Sequence, residues 1–459
     1  MNDENNNLIT LREYEYLYKS DKNKETKTEN NKRLYSLDKD NYEALERFIK
    51  EYEPEELNEL DNIDECEEVD LRNCFQFHTN DTISVKNFVG LIQLESGFQI
   101  EILPKVDLSD NKDDPITKTK EVFLEMLEYL DDFPYKIFSD SSIDIKDFTI
   151  LEIFIKLFVE EVKNLVKQGL KSSYITIEDN VPYFKGKFLV NQHLKHNLCH
   201  KERFYMAYDE FNLNRPENKL IKASLIKLQR ITTNWENSKE IKMLLNDFEM
   251  VDESLNYNKE LSKVKIDRNT LSYANIIQWV KVFLFNKSFT NFSGDGKNRA
   301  LLFYMSKVFE RYVAKKVEDI FTPNGWTVYA QAEGNTKYLF DDPQMFKLKP
   351  DIVIKNINGD KTAILDTKWK ALNNNPNKNY GISQSDMYQM YAYSKKYKAE
   401  NIWLLYPLNS EMREYIEKYI EYKELNTDLI NTSVRVFFVD VANIDDSIKK
   451  LLGFIKDAS

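Results

Sequence analysis

The segment LKPDIVIKNINGDKTAILDTKWK, Leu348 to Lys370, constrains the fold more than any other stretch of the chain. Two short apolar runs flank Asn358-Gly359, and both central positions of a two-residue type I′ hairpin turn need the positive φ that Asn and Gly tolerate. That turn sets Ile357 opposite Asp360, and the same register carried down the ladder sets Asp351 opposite Asp366. Directly opposed residues have Cβ atoms about 4.5–5.5 Å apart, where like charges are destabilising. The pair therefore calls for a cation or a shared proton. Lys368 lies two residues beyond Asp366 and projects from the same face, whereas Leu365 and Thr367 point the other way.

Two carboxylates and a lysine at one end of a hairpin suit Mg²⁺, which takes oxygen ligands and keeps several waters. Such an ion lowers the pKa of bound water and stabilises charge on a phosphoryl oxygen, and a nearby ammonium can orient the water. The plainer alternative is two acids at a solvated strand end with Lys368 as their ion-pair partner. A D…DxK match is short enough to fit either. The hairpin register favours the first, as does the surrounding order of helix, three strands, helix and strand.

At 459 residues the chain exceeds one ordinary core, which predicts two or three domains. Residues 1–70 form a polar segment with a strongly acidic end. Glu51 to Asp70 holds eleven Asp or Glu and no Lys or Arg, a block that repels phosphate. Residues 71–147 are predicted to form a β-rich domain. FQFH, ISVKNFVGLIQL and FQIEILPKV alternate apolar and polar residues, with a turn at Ser96-Gly97 and a stop at Pro104. A helix follows over Thr117–Leu130, with Val122, Met126, Leu127 and Leu130 on one face.

Residues 148–297 read as mainly helical, beginning with a broad apolar stripe that ends at Gly169, a C-terminal cap. Further helices are predicted over Lys219–Trp235 and Leu271–Phe285. Lys185 to Arg230 holds ten Lys or Arg against four Asp or Glu, the best basic surface in the chain. Residues 298–459 alternate helices and strands, which predicts an α/β domain with a mixed sheet. Its first helix is predicted to span Asn298–Phe321. The expected class is thus multidomain α+β.

The net charge of −12 means that overall field does not draw this chain to nucleic acid, so DNA contact must be local or come through a partner. Cys66, Cys74 and Cys199 make no disulfide framework, the N-terminus shows no secretory pattern, and no apolar run of about 20 residues occurs. A cytoplasmic protein without a membrane span is expected. No phosphate-binding GxxxxGK[ST] loop is present, so any nucleotide chemistry belongs to another chain.

Three further groups carry two readings each. Glu310 lies off the centre of the stripe formed by Met305, Val308, Phe309, Tyr312 and Val313. It is either an exposed acid paired with Lys307 or Lys315, or part of a site. Asp386, Gln389 and Tyr393 share a helix face, which fits core-edge packing as well as a site. His193, His196 and His200, beside Cys199, share a face if helical. No second ligand pair follows at zinc-finger spacing, so a surface helix is the expectation.

At Pro350-Asp351 and Asp366-Thr367-Lys368 the chain resembles the PD-(D/E)xK nuclease superfamily. VGLIQLESGFQIEILPKV, GKFLVNQHLKHN, RFYMAYDEFNLNRPENKLIKASL, VFERYVAKKV and DMYQMYAY resemble the McrC family, the endonuclease subunit of McrBC-type modification-dependent restriction systems. The resemblance runs from about Phe88 to Asp440. It implies a C-terminal PD-(D/E)xK endonuclease domain over 298–459 and a partner-docking role for 71–147. It further implies Mg²⁺-dependent cleavage of double-stranded DNA carrying modified cytosine, in company with a hexameric AAA+ GTPase, McrB. GTP would be bound by that partner, whose hydrolysis this subunit stimulates. Carried residue by residue, Asp351, Asp366 and Glu310 take the metal-ligand positions, Lys368 the catalytic lysine and Gln389 the polar position of the following helix. Two other readings compete: a non-catalytic adaptor of an AAA+ motor, and an autonomous nuclease. The intact Asp351, Asp366 and Lys368 argue against the first, and the acidic balance against the second.

Overall fold

The computed structural model describes residues 7–23, 25–29, 32–50, 74–79, 81–105, 115–130, 148–285, 299–331, 336–356, 362–399, 401–424 and 432–457. The acidic block Glu51–Asp70, Cys66 and the Asn358-Gly359 turn lie outside these residues. The chain forms two compact units, one of residues 1–150 with 289–459 and one of residues 151–288. No helix among the described residues is long and apolar enough to cross a membrane.

The first unit opens with strands β1 (Leu8–Arg12), β2 (Tyr16–Ser20), β3 (Thr26–Glu29) and β4 (Lys32–Asp38), then the helix Lys39–Lys50. Strands β5 (Phe75–Thr79), β6 (Thr82–Val85), β7 (Phe88–Gln93) and β8 (Gln99–Leu103) follow, then the helix Pro115–Leu127. The strands read over residues 74–106 are present, including the turn where Gly97 takes φ +81° and the stop before Pro104, although β7 and β8 are buried on both faces rather than alternately. Residues 8–50 join the same β-rich region despite their polarity. Their strands bury few residues, and Ile9, Leu11, Leu17 and Leu37 suffice to share a core with Ile83, Ile92 and Ile100.

The second unit carries the predicted helices as Ile150–Gln168 (which begins one residue before the unit boundary), Pro216–Gln229 and Ala274–Phe285, with Trp235–Asp247 and Tyr257–Leu261 between them. Gly169 takes φ +87° at the expected cap. Beyond the helices this unit contains a three-stranded ribbon: β9 (Ser173–Val181), β10 (Lys187–Phe188) and β11 (Phe204–Asn212), in the order β10-β11-β9. The three histidines do not form one face. Their helix spans only Val190–His196, so His200 lies beyond it; His193 stacks on Phe204, His196 on Tyr205, and His200 meets Glu202. Much of the basic segment is occupied internally: Arg215 pairs with Glu217, Lys222 donates to the Val251 carbonyl, and Lys185 lies over the Tyr208 ring.

The rest of the first unit begins with a correction. Residues 298–321 are not one helix: β12 (Arg299–Tyr304) precedes the helix Met305–Phe321. The run ALLFY is apolar on both faces, a pattern that periodicity alone cannot assign, and it pairs antiparallel with β7. The sheet β1-β8-β7-β12 thus joins the N-terminal region to the C-terminal one. Strands β13 (Trp326–Ala330), β14 (Lys337–Asp341), β15 (Gln344–Leu348), β16 (Ile352–Asn356) and β17 (Thr362–Thr367) follow. After the helix Gln384–Tyr397 come β18 (Asn401–Pro407), β19 (Ile420–Lys423), β20 (Ser433–Val439) and the helix Ile444–Asp457. Strands β14 and β15 form a separate hairpin. The main sheet runs β13-β16-β17-β18-β20-β19, with β17, β18 and β20 parallel, so the expected mixed α/β arrangement is present.

Strand β17 is central and paired on both edges, which explains why TAILDT is apolar on both faces. Val353, Ile364, Ile402 and Leu404 pack with Met390 and Tyr393 of the Gln384–Tyr397 helix. The helix Met305–Phe321 packs against the Ile444–Asp457 helix and against β13 and β17.

At Gly90 the backbones of β7 and β12 leave no room for a side chain. Its φ is +146°, and a Cβ there would lie 1.9 Å from the Leu301 carbonyl oxygen. Gly90→Ala is therefore expected to cost about 3 kcal/mol or more. Chemical denaturation should show it, and a wild-type midpoint would refute the close approach.

Candidate active site

Strands β16 and β17 pair in the register deduced from the turn, Ile352 opposite Leu365 and Val353 opposite Ile364. The ladder ends there, and Asp351 follows as the first unpaired residue. Its carboxylate Oδ2 accepts both the Thr367 backbone N–H and the Thr367 hydroxyl, each at 2.6 Å. Thr367 was expected to point away. Because Asp351 lies beyond the ladder, its side chain is free to fold over the strand end and take the N–H that no strand neighbour claims.

Asp366 is 1% exposed, and Lys368 Nζ stands 2.5 Å from its Oδ2. That contact is an ion pair without hydrogen-bond alignment, and Oδ1 accepts no hydrogen bond at all. Lys368 Nζ donates to Gln389 Oε1 at 3.2 Å, Gln389 Nε2 to the Tyr393 hydroxyl at 2.8 Å, and that hydroxyl to the Lys349 carbonyl at 2.9 Å. The Gln389 side chain thus ties the lysine to the residue just before Pro350-Asp351. Ser383 caps this helix by accepting the Asp386 N–H, and Asp386 pairs with Lys370 at 2.7 Å.

Glu310 is neither exposed nor paired with Lys315, which meets Glu318 and Asp319 instead. Its Oε1 accepts a hydrogen bond from Gln331 Nε2 at 3.2 Å. The Gln331 backbone N–H in turn donates to the Asp351 carbonyl at 2.6 Å. Gln331 joins the site unannounced by the sequence, since only the edge pairing of β13 with β16 brings it there.

The electrostatics match a crowded acidic site. Burial, reinforced by the charge of Asp351, pushes Glu310 up to about 7 and Asp366 up to about 8. Burial raises Asp351 too, against the Thr367 hydrogen bonds and the Lys368 charge. Lys368 is pulled down by burial, yet Asp366 more than offsets this and leaves it above the ordinary lysine value. The hard oxygens of Asp351 and Asp366, with one buried oxygen lacking a partner, fit a divalent cation that keeps several waters. Among the described residues no three His, Cys, Asp or Glu side chains close into a metal cage. Glu310 stands at the margin of the acid pair.

A carboxyl with a raised folded pKa keeps its proton where the unfolded chain has lost it. Stability from this source is complete below the ordinary carboxylate range and falls as pH rises toward 7 and 8. In the absence of divalent metal, Asp366→Asn should therefore gain in Tm relative to wild type between about pH 5 and about pH 8.5. A Tm difference independent of pH would refute the raised carboxyl.

A family model described as McrBC 5-methylcytosine restriction system component matches residues 83–407. No curated protein matches the chain. Among solved structures, a chain of the refined half-complex from the tetradecameric assembly of Thermococcus gammatolerans McrB AAA+ hexamers with bound McrC aligns with a TM-score of 0.66. Its identity is 17%, over 98% of this chain and 100% of that one. At that identity the match speaks for the fold. A chain of the cryo-EM structure of the Thermococcus gammatolerans McrBC complex aligns at 16% identity over 69% of this chain and 88% of that one, with a TM-score of 0.43. With its family model matching well over half its length, the chain belongs to the McrBC 5-methylcytosine restriction system component family.

Proposed function

We propose that the chain is the endonuclease subunit of such a system, a PD-(D/E)xK enzyme that hydrolyses DNA phosphodiesters with Mg²⁺. The observation that carries this is the junction of Asp351, Asp366 and Lys368 at the end of β16 and β17, with an Asp366 oxygen buried and unpartnered. Asp351 and Asp366 would hold the cation, with Glu310 as the further acid of the site. When bound, Mg²⁺ supplies Lewis-acid stabilisation of phosphoryl charge and a more acidic water. Lys368 keeps its proton at neutral pH and holds that charge beside Asp366, where it would offset negative charge developing on a phosphoryl oxygen. Gln389 fixes the ammonium by hydrogen bonding, and Thr367 fixes the Asp351 carboxylate.

The fold likeness to a chain from McrB AAA+ hexamers with bound McrC supports a motor partner of that kind. The acidic charge of −12 supports the same reading, because DNA delivered by another chain needs only a weak local surface here. The partner would bind GTP and recognise modified cytosine, and the β-rich N-terminal region would dock to it and stimulate its hydrolysis.

Two outcomes test this. Asp351→Ala, Asp366→Ala and Lys368→Ala should each lower DNA cleavage by about a thousandfold with partner stimulation intact. Near-wild-type cutting by Asp366→Ala would overturn the assignment. Cleavage of methylated DNA should also require subunit, motor, GTP and Mg²⁺ together. Efficient cutting by the subunit alone would point to an autonomous nuclease.

A further inference from the structure

Immediately after Lys368 the chain makes a tight turn centred on Trp369, in which the Lys370 N–H donates to the Lys368 carbonyl at 2.8 Å. Trp369 is thus the residue through which the chain turns away after Lys368, whose own N–H donates to the Leu405 carbonyl at 2.9 Å. Trp369 is 2% exposed, and two residues of the N-terminal β region grip it from opposite ends. Its indole N–H donates to the Glu13 carboxylate, 3.0 Å from Oε2 and 3.3 Å from Oε1. Its carbonyl accepts from Lys105 Nζ at 2.9 Å.

Glu13 and Lys105 are themselves tied together. The Lys105 backbone N–H donates to Glu13 Oε2 at 3.1 Å, and the Glu13 N–H donates to the Leu103 carbonyl at 3.0 Å. Lys105 Nζ also lies over the Tyr14 and Trp369 rings, 4.6 and 5.7 Å from their centroids. On its other side Trp369 meets the Phe309 ring at 5.3 Å, one residue before Glu310. One buried aromatic side chain therefore touches the N-terminal sheet, the turn after Lys368 and the helix of Glu310.

A buried carboxylate and a largely buried ammonium are costly to place, and hydrophobic side chains would fill the same space. The pair is directed at the residue that follows Lys368, at its indole N–H and its carbonyl. We propose that Glu13 and Lys105, acting through Trp369, are positioning residues for DNA cleavage: the N-terminal β region holds the catalytic lysine in place. This rests on the nuclease reading above.

The test uses the full-length chain with its AAA+ partner, GTP, Mg²⁺ and methylated DNA. Trp369→Phe removes the indole N–H and keeps a ring against Phe309; Glu13→Gln keeps an acceptor and removes the charge. Each should lower kcat for cleavage by about tenfold or more, since small misplacement of a catalytic group is costly. KM for DNA and stimulation of the partner's GTP hydrolysis should stay within about twofold, because both variants remain folded and docked. The double variant should be no slower than the slower single one, as expected when both cut the same link. Wild-type kcat in both single variants overturns the proposal, as does loss of hydrolysis stimulation in step with cleavage or multiplication of the defects in the double variant. Asp366→Ala separates the two levels: if it still cuts, the nuclease reading fails, whereas inactive Asp366→Ala beside fully active Trp369→Phe removes only the positioning role.

Discussion

A carboxylate at the buried end of a central strand is the constraint around which the C-terminal region is organised. Asp366 is almost fully removed from water and lies in the field of Asp351, so neither oxygen is hydrated as a surface carboxylate would be. An uncompensated charge there would cost several kcal/mol. Lys368 supplies an opposite charge on the same strand face, and Gln389, Tyr393 and the Lys349 carbonyl form the chain that keeps it there. What is left over, an unpartnered oxygen and three raised carboxyl groups, is a poor arrangement for stability and a good one for binding a cation.

The same region is not built as an appendage to the N-terminal sheets. Strand β12 completes the sheet begun by β1, β8 and β7 before the chain enters the helix that bears Glu310. The first turn of that helix is anchored where the Met305 N–H donates to the Asn87 carbonyl. Glu13 and Lys105 then reach the turn after Lys368. Two of the site's elements are thus referenced to the β-rich region by direct hydrogen bonds, and the sequence separations involved, Asn87 to Met305 and Glu13 to Trp369, make those links invisible to any local pattern.

Legibility followed the range of the interaction concerned. The register of β16 on β17 was readable because turn chemistry is local: Asn358-Gly359 admits one short hairpin, and a slip of one residue would turn every buried Ile and Leu outward. Gly169 was readable as a helix end for a similar reason. The split of residues 298–321 into strand and helix was not, because ALLFY is apolar on both faces and only the partner β7 decides that it is extended. The ribbon of β9 and β11 is not legible locally, because its strands run on into polar residues, Glu178 to Asn180 and Asp209 to Glu210, and the short run FYMAY alone cannot be told from a helix segment. The histidines lie where a surface helix was the expectation, and only its extent differs. Their spacing suits a helix that stops at His196, and each ring found an aromatic or acidic neighbour instead of a shared ligand.

The sequence by itself determined which residues stand opposite one another at the end of one hairpin, and hence that two acids and a lysine must be reconciled there. It also determined the family, through motifs spread from the β-rich region to the last strands. Only the tertiary structure decided the direction of each carboxylate: Asp351 toward Thr367, Glu310 toward Gln331, and Asp366 toward Lys368 with one oxygen left bare. Side-chain direction at a strand end depends on where the ladder stops and on which distant groups arrive beside it. Gln331, Trp369, Glu13 and Lys105 arrive by edge pairing and sheet completion, which no spacing along the chain encodes.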